Sequence, residues 1–413
     1  MRKLYAFMRN NLLSRDKLNY ERGVAKNIHY GDIHTKFQAL FDITRESVPF
    51  INESESVPGA DSEDYCVEGD LIFADASEDM RDVGKCIEVI RLAGERLLSG
   101  QHTILARPKD DALVIGFGGH LFRSGLMRSR IEKEAQGTKV YQISSSRLGG
   151  IDITYPSGKG EQQKIADCLT SLDEVIAAQV RKVEALKAHK RGLMQQLFPR
   201  EGETRPRLRF PEFRNAPEWE QHRLGDIASV SKGKGISKAD IAVEGRTPCI
   251  RYGELYTVYG EVIDRPVSRT DVPTVELVLS QAGDVLVPAS GETKEDIATS
   301  AVVLGAGVAL GGDLNIIRLD ADGRFFSYYL NGAKRRALAK VAQGDTVVHL
   351  YPRQLEQLDV AIPVNRAEQQ RIADCLSSLD TQITAETNQL AALKTHKQGL
   401  MQQLFPAPEA AGA

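Results

Sequence analysis

Residues 161–199 read EQQKIADCLTSLDEVIAAQVRKVEALKAHKRGLMQQLFP, and residues 368–406 read EQQRIADCLSSLDTQITAETNQLAALKTHKQGLMQQLFP. The stretches match without a gap at a constant offset of 207 residues, so they are two copies of one element. Apolar residues return every three or four positions: Ile165, Leu169, Leu172, Ile176, Val180, Val183, Leu186, Leu193 and Leu197 in the first copy, and Ile372, Leu376, Leu379, Ile383, Leu390, Leu393, Leu400 and Leu404 in the second. That spacing draws one stripe along a helix, and no proline interrupts it before Pro199 and Pro406. A helix of roughly 37 residues is about 55 Å long at 1.5 Å per residue, more than one globular core needs. Its stripe has to be covered, and the other copy is the nearest match. We expect the helices to return antiparallel and pair as a coiled coil, with Leu172, Ile176, Leu379 and Ile383 on the seam. The alternative is that each helix packs on its own globular neighbour.

The segments between the helices repeat more weakly. Asn27–Thr35 (NIHYGDIHT) aligns with Cys249–Thr257 (CIRYGELYT), Gly69–Ile72 with Gly283–Leu286, Ala135–Gly137 with Ala342–Gly344, and Asp152–Pro156 with Asp359–Pro363. The offset drifts from 222 through 214 to 207, as insertions in surface loops produce. Short β-rich runs (Asp284–Val287, Leu314–Leu319, Leu358–Ile362) alternate with a helical stretch near each unit's end, Leu121–Gln136 or Phe326–Val341, which gives an α+β fold used twice. The expected organisation is a first unit at 1–160, a long helix at 161–199, a Pro- and Arg-rich extended linker at 200–221, a second unit at 222–367, a second long helix at 368–406 and a disordered tail at 407–413. Trp219 and Leu224-Gly225-Asp226 open the second unit, whereas Tyr30 aligns with Tyr252 and leaves too few residues upstream for a counterpart. On this reading the first unit is shortened at its N-terminus.

With 413 residues the chain can bury two or three cores, and its net charge of -3 lacks the basic excess of a protein that grips DNA unaided. Basic residues then have to be locally clustered, with partners completing the positive surface. The longest apolar runs, such as Ala301–Leu304, are far too short for a membrane span, and the first residues carry no secretory pattern, so a cytoplasmic protein is expected. Cys66, Cys86, Cys168, Cys249 and Cys375 form no Cys-x-x-Cys pair and read as reduced, mostly buried thiols.

The repeated EQQ-x-IADCL-x-SLD, the terminal GLMQQLFP of each helix, and LRFPEF followed by Trp219 and Leu224-Gly225-Asp226 together resemble the specificity subunits of type I restriction-modification systems. The resemblance covers nearly the whole chain. It implies two target-recognition domains on double-stranded DNA, each reading half of a split sequence, with the paired helices setting the gap. It also implies two modification subunits that methylate adenine with S-adenosylmethionine, and restriction subunits that use ATP and Mg. This chain would be the non-catalytic reader and hold no cofactor or metal itself.

The residues agree that catalysis is absent. There is no G-x-x-x-x-G-K-[ST] loop and no Asn/Asp-Pro-Pro-Tyr/Phe motif, and Gly305–Gly312 reads as a hairpin turn, not a dinucleotide loop. His29, Asp32 and His34 could suggest a metal cluster, but the aligned Arg251, Glu254 and Tyr256 do not keep the ligands. The acidic runs 77–85 and 291–297 read as polar loops. For DNA contact the candidates are Lys26, His29, Lys36, Arg81, Lys85 and Arg128 in the first unit. In the second they are Lys232, Lys234 and Lys238 of the SKGKGISK loop, Arg251, and Lys334 and Arg335 of the Lys334-Arg335-Arg336 cluster. Two rivals remain: a self-sufficient sequence-specific DNA-binding regulator, disfavoured by the charge, and a coiled-coil adaptor, which has no need of two elaborated units.

Overall fold

The computed structural model describes residues 1–59, 62–344 and 347–406. The tail expected to be disordered lies outside these residues. The chain divides into two compact units, and the division does not follow the chain segments: one takes Met1–Val180 and the stretch from Gln389 onward, the other Arg181–Asn388.

The first unit is built on a five-stranded sheet in the order Tyr5–Met8, Thr103–Pro108, Leu71–Ala74, Cys86–Arg91, Leu40–Asp42, antiparallel except for the last pair. The second has the same arrangement: Ala228–Lys232, Leu314–Leu319, Val285–Pro288, Ala301–Val303, Val262–Ile263, again with the last pair parallel. Each unit adds a smaller four-stranded sheet, through Lys26–Ile28 in one and Thr247–Ile250 in the other. The central strands Leu71–Ala74 and Val285–Pro288 are buried along their whole length, which explains their unbroken apolar sequence. The Gly-Asp pair before each has a physical reason as well. Gly69 and Gly283 sit at φ 95° and 92°, a left-handed backbone that favours glycine. Asp70 and Asp284, both buried, pair with Arg107 and Arg318 on the neighbouring strand, each at 2.8 Å.

The long helices span Lys159–Leu197 and Arg366–Leu404. In the first unit the core around Phe117, Leu121 and Leu148 takes Ile165, Ala166 and Leu169 from the start of the first helix, and Leu400, Met401 and Leu404 from the end of the second, with Phe405 next along the chain. In the second unit Ile372, Ala373 and Leu376 start one helix while Leu193, Met194 and Leu197 end the other, with Phe198 next along the chain. Polar clasps repeat the pattern. Tyr328 donates to Asp380 at 2.6 Å, and Asp380 pairs with Lys190 at 2.6 Å. The equivalent residues of the first unit are His120, Asp173 and Lys397. The His120 ring lies 4.0 Å from Asp173, which pairs with Lys397, and burial pushes its pKa down to about 3, so this clasp holds a neutral imidazole. Leu172, Ile176, Leu379 and Ile383 are half-buried, unlike the helix ends.

Three features depart from the reading of the sequence. Gly305–Gly312 makes a turn but no hairpin: Ala301–Val303 belongs to the large sheet and Ala309–Leu310 to the small one, so the turn carries the chain between sheets. The helical stretch 326–341 begins earlier, at Gly323, and contains a π-turn over Leu330–Lys334. Residues 200–221 do more than connect: Pro206, Phe213 and Trp219 are buried, and Arg209 pairs with buried Glu368 through two 2.7 Å hydrogen bonds. Trp219 lies against Phe198, Phe325 and Tyr329. Substituting Glu368→Ala strands the Arg209 guanidinium, and we expect urea unfolding to show a loss of about 3–5 kcal/mol; a loss under 1 kcal/mol would contradict a closed clamp.

After this segment, Glu220–Arg223 pairs with Asp359–Ile362, and the Leu224 N–H donates to Leu358 O at 2.9 Å. In the first unit the Met1 ammonium donates to the aligned Ile151 O at 2.5 Å.

Candidate nucleic-acid interface

In the second unit two clefts meet at Tyr256. One, about 970 Å³, is lined by Ser237, Lys238, Arg251, Tyr252, Gly311 and Asp313 among others. Its floor is the short helix Glu254–Thr257, and its wall is the glycine-punctuated loop after Ala228–Lys232, where Gly235 takes φ 64°. Donors and acceptors are mixed here, as reading base edges requires. The other cleft, about 1210 Å³, carries Arg191, Arg200, Arg207, Arg335 and Arg336 with Tyr256 and Tyr259. Among the described residues no ion pair engages Arg191, Arg200, Arg207 or Arg336. A cleft with this much uncommitted guanidinium suits phosphate oxygens.

Lys238, Arg251 and Arg335 are thus brought to the clefts, while Lys232, Lys234 and Lys334 are not among the lining residues. Lys232 lies over the Tyr351 ring and Lys334 over the Tyr329 ring, where burial lowers the Lys334 pKa. Arg251 is partly committed: its guanidinium holds buried Glu254 at 3.0 Å.

In the first unit His29 and Lys36 bracket the short helix Tyr30–Thr35, and Lys85 joins them by donating to His34 O at 2.8 Å. Buried Asp32 pairs with Arg15 at 2.8 Å and Lys36 at 2.9 Å, which gives that carboxylate a structural partner set in place of a metal. Arg81 is exposed on the adjoining loop, and Arg128 donates to the Arg81 and Val83 carbonyls at 2.8 and 2.6 Å, holding that loop. Lys26 stands apart, over the Phe50 ring and 3.4 Å from Glu95. The acidic loops spend carboxylates on backbone: Asp79 accepts from Arg81 N, and Asp296 with Thr293 caps a short helix.

Sequence reasoning missed the tyrosines Tyr30, Tyr252, Tyr256 and Tyr259, and did not join Arg191, Arg200 and Arg207 to Arg336, which it read only within the Lys334-Arg335-Arg336 cluster. The repeated Tyr-Gly-acid motif held a signal for Tyr30 and Tyr252. The arginines come from three separate elements and had none. Among the described residues no cluster of His, Cys, Asp and Glu is placed to hold a metal, and no helix is long and apolar enough to cross a membrane. Cys66, Cys86 and Cys249 are buried, Cys375 partly so, and Cys168 is exposed.

Residues 217–395 match the family model for the type I restriction modification DNA specificity domain. A putative type I restriction enzyme specificity subunit, MjaX, of Methanocaldococcus jannaschii is 23% identical over 82% of this chain and 77% of its own length. The MjaVIII specificity subunit of the same organism is 23% identical over 68% of this chain and 67% of its own. The crystal structure of a type I restriction-modification S subunit from M. genitalium superposes with a TM-score of 0.57 over 98% of this chain and 95% of that one, at 15% identity.

Proposed function

We propose that this chain is a type I restriction-modification specificity subunit and that it reads a bipartite DNA target, one half with each unit. It holds two modification subunits, which methylate adenine with S-adenosylmethionine, and restriction subunits, which use ATP and Mg, in the cytoplasm and without a catalytic group of its own. The observation that carries this reading is the duplication: two units of one topology carry different side chains at matching surface positions, such as Arg251 and Tyr256 against His29 and His34. One topology fixes how a surface meets DNA, and different side chains select different bases.

The long helices act as the spacer, an antiparallel coiled coil. Lys182 pairs with Glu386 and Lys190 with Asp380, both at 2.6 Å, so one partner's number climbs as the other's falls. Leu172, Ile176, Leu379 and Ile383 are half-buried, as residues of such a seam would be. A rigid spacer limits which pair of base clusters can be reached together, as half-site spacing does for dimeric readers. In the second unit the Tyr256 clefts provide the surface, with Lys238, Arg251 and Arg335 reading or positioning and Lys232 and Lys234 flanking. In the first unit His29, Lys36, Arg81 and Lys85 serve.

Methylome sequencing of cells carrying the chain with its modification subunit is expected to return a motif of two short blocks separated by an unspecified gap. A contiguous motif would exclude two readers.

A further inference from the structure

In the first unit the Tyr30 ring stands among three imidazoles, with centroids 4.6 Å from His29, 5.3 Å from His102 and 6.0 Å from His34. The duplication shows what occupies these places in the second unit. Tyr252 replaces Tyr30, Arg251 replaces His29, and Tyr256 replaces His34 with nearly the same ring spacing, 6.4 Å. The paired Arg107 and Arg318 fix the register of their strands, so His102 corresponds to Asp313. All four second-unit residues line one cleft. The three histidines therefore lie on the equivalent surface of the first unit.

What differs between the copies is titration. The second unit presents a permanent cation, a phenol and an acid. The first presents three imidazoles, each able to gain a proton. Each imidazole is held in place: His29 Nδ1 accepts from Gly31 N–H at 3.1 Å, His34 Nε2 lies 3.0 Å from Ala76 O, and His102 Nδ1 lies 3.3 Å from Asp75. His29 faces Arg15, Asp32, Lys36 and His102, and burial followed by Arg15 lowers its pKa. Tyr20 packs over Lys36. Lys85, which also meets Asp82, binds the backbone of His34, and Asp75 at His102 is raised by its own burial. A neutral imidazole can both donate to and accept from a base edge, and a nearby phosphate favours its protonated form.

We propose that the first unit reads its half of the target with the imidazole surface around Tyr30, so that its hold on DNA, unlike the second unit's, is coupled to proton uptake. This rests on the two-reader function above. Each proton taken up on binding steepens the affinity by as much as tenfold per pH unit.

The test uses the full chain assembled with its modification subunits, at constant salt, between pH 8 and pH 6. Duplexes carry the whole target, only its first half, or only its second half. Affinity for the whole target and for the first half is expected to rise about tenfold or more on going to pH 6, with the second half nearly flat. The triple variant His29→Asn, His34→Tyr, His102→Gln should remove the slope; Asn keeps the helix cap. His102→Gln alone, at a half-exposed position, should reduce the slope if the triple variant does not fold. Equal slopes for both halves, or a slope unchanged in the single and triple variants, overturn the proposal. Absence of sequence-specific binding at every pH overturns the two-reader function itself, and a flat response with specific binding overturns only the imidazole surface.

Discussion

Replacing Arg205–Gln357 by the corresponding segment of a relative, its own arginine and tryptophan included, is expected to change one block of the proposed methylation motif and to leave the other block and the gap unchanged. The donor segment has to bring its own partners for Glu368 and for the Trp219 slot, because both close the second core. It also has to pair with the host strand Asp359–Ile362, which a segment of the same topology does through backbone alone. If those conditions are met, the first unit keeps its sheet and its helix-end packing, since none of those residues is exchanged. The measurement is the methylome of cells carrying the chimera. A change in both blocks would mean that the units do not read independently.

The second large effect is expected in the arginine cleft. The triple variant Arg191→Gln, Arg200→Gln, Arg207→Gln removes three uncommitted guanidinium groups from its wall. Each phosphate contact releases counterions and adds about 0.9 to the slope of log affinity against log salt. The variant complex should bind its target on the order of a hundredfold more weakly at physiological salt, with a slope shallower by about two to three. The ratio of specific to nonspecific binding should barely move, because phosphates carry no base identity. Fluorescence titration over a salt series checks this. An unchanged slope would take the phosphate path out of this cleft.

The sequence was most informative where one physical rule dominates. A 39-residue helix with an unbroken apolar stripe can be little else, and the Gly-Asp pairs mark a turn that needs a left-handed backbone followed by a buried carboxylate. The sheet order could not be read, because strands as short as Val262–Ile263 and Phe50–Ile51 carry no period and their partners lie far along the chain. Charge alone was a poor guide to the site. Lys334 and Arg335 are neighbours in sequence, yet one lies over a tyrosine ring and the other lines the cleft. Arg128 was a candidate for DNA contact, but its guanidinium serves two carbonyls. Residues 200–221 read as a linker because Pro and Arg dominate their composition, while the partner of Arg209, Glu368, lies 159 residues away.

The packing of helix ends has a consequence for biosynthesis. The second unit is one continuous stretch, whereas the core of the first holds Leu400, Met401, Leu404 and Phe405, with Phe405 5.7 Å from Phe117. Domains usually fold in the order in which they are made. Here the segment made first waits longest: its wall stays open, with Phe117 exposed to the surroundings, until residues beyond 400 have left the ribosome. A nascent chain stalled in the second long helix would therefore carry a closed second unit and an unfinished first one.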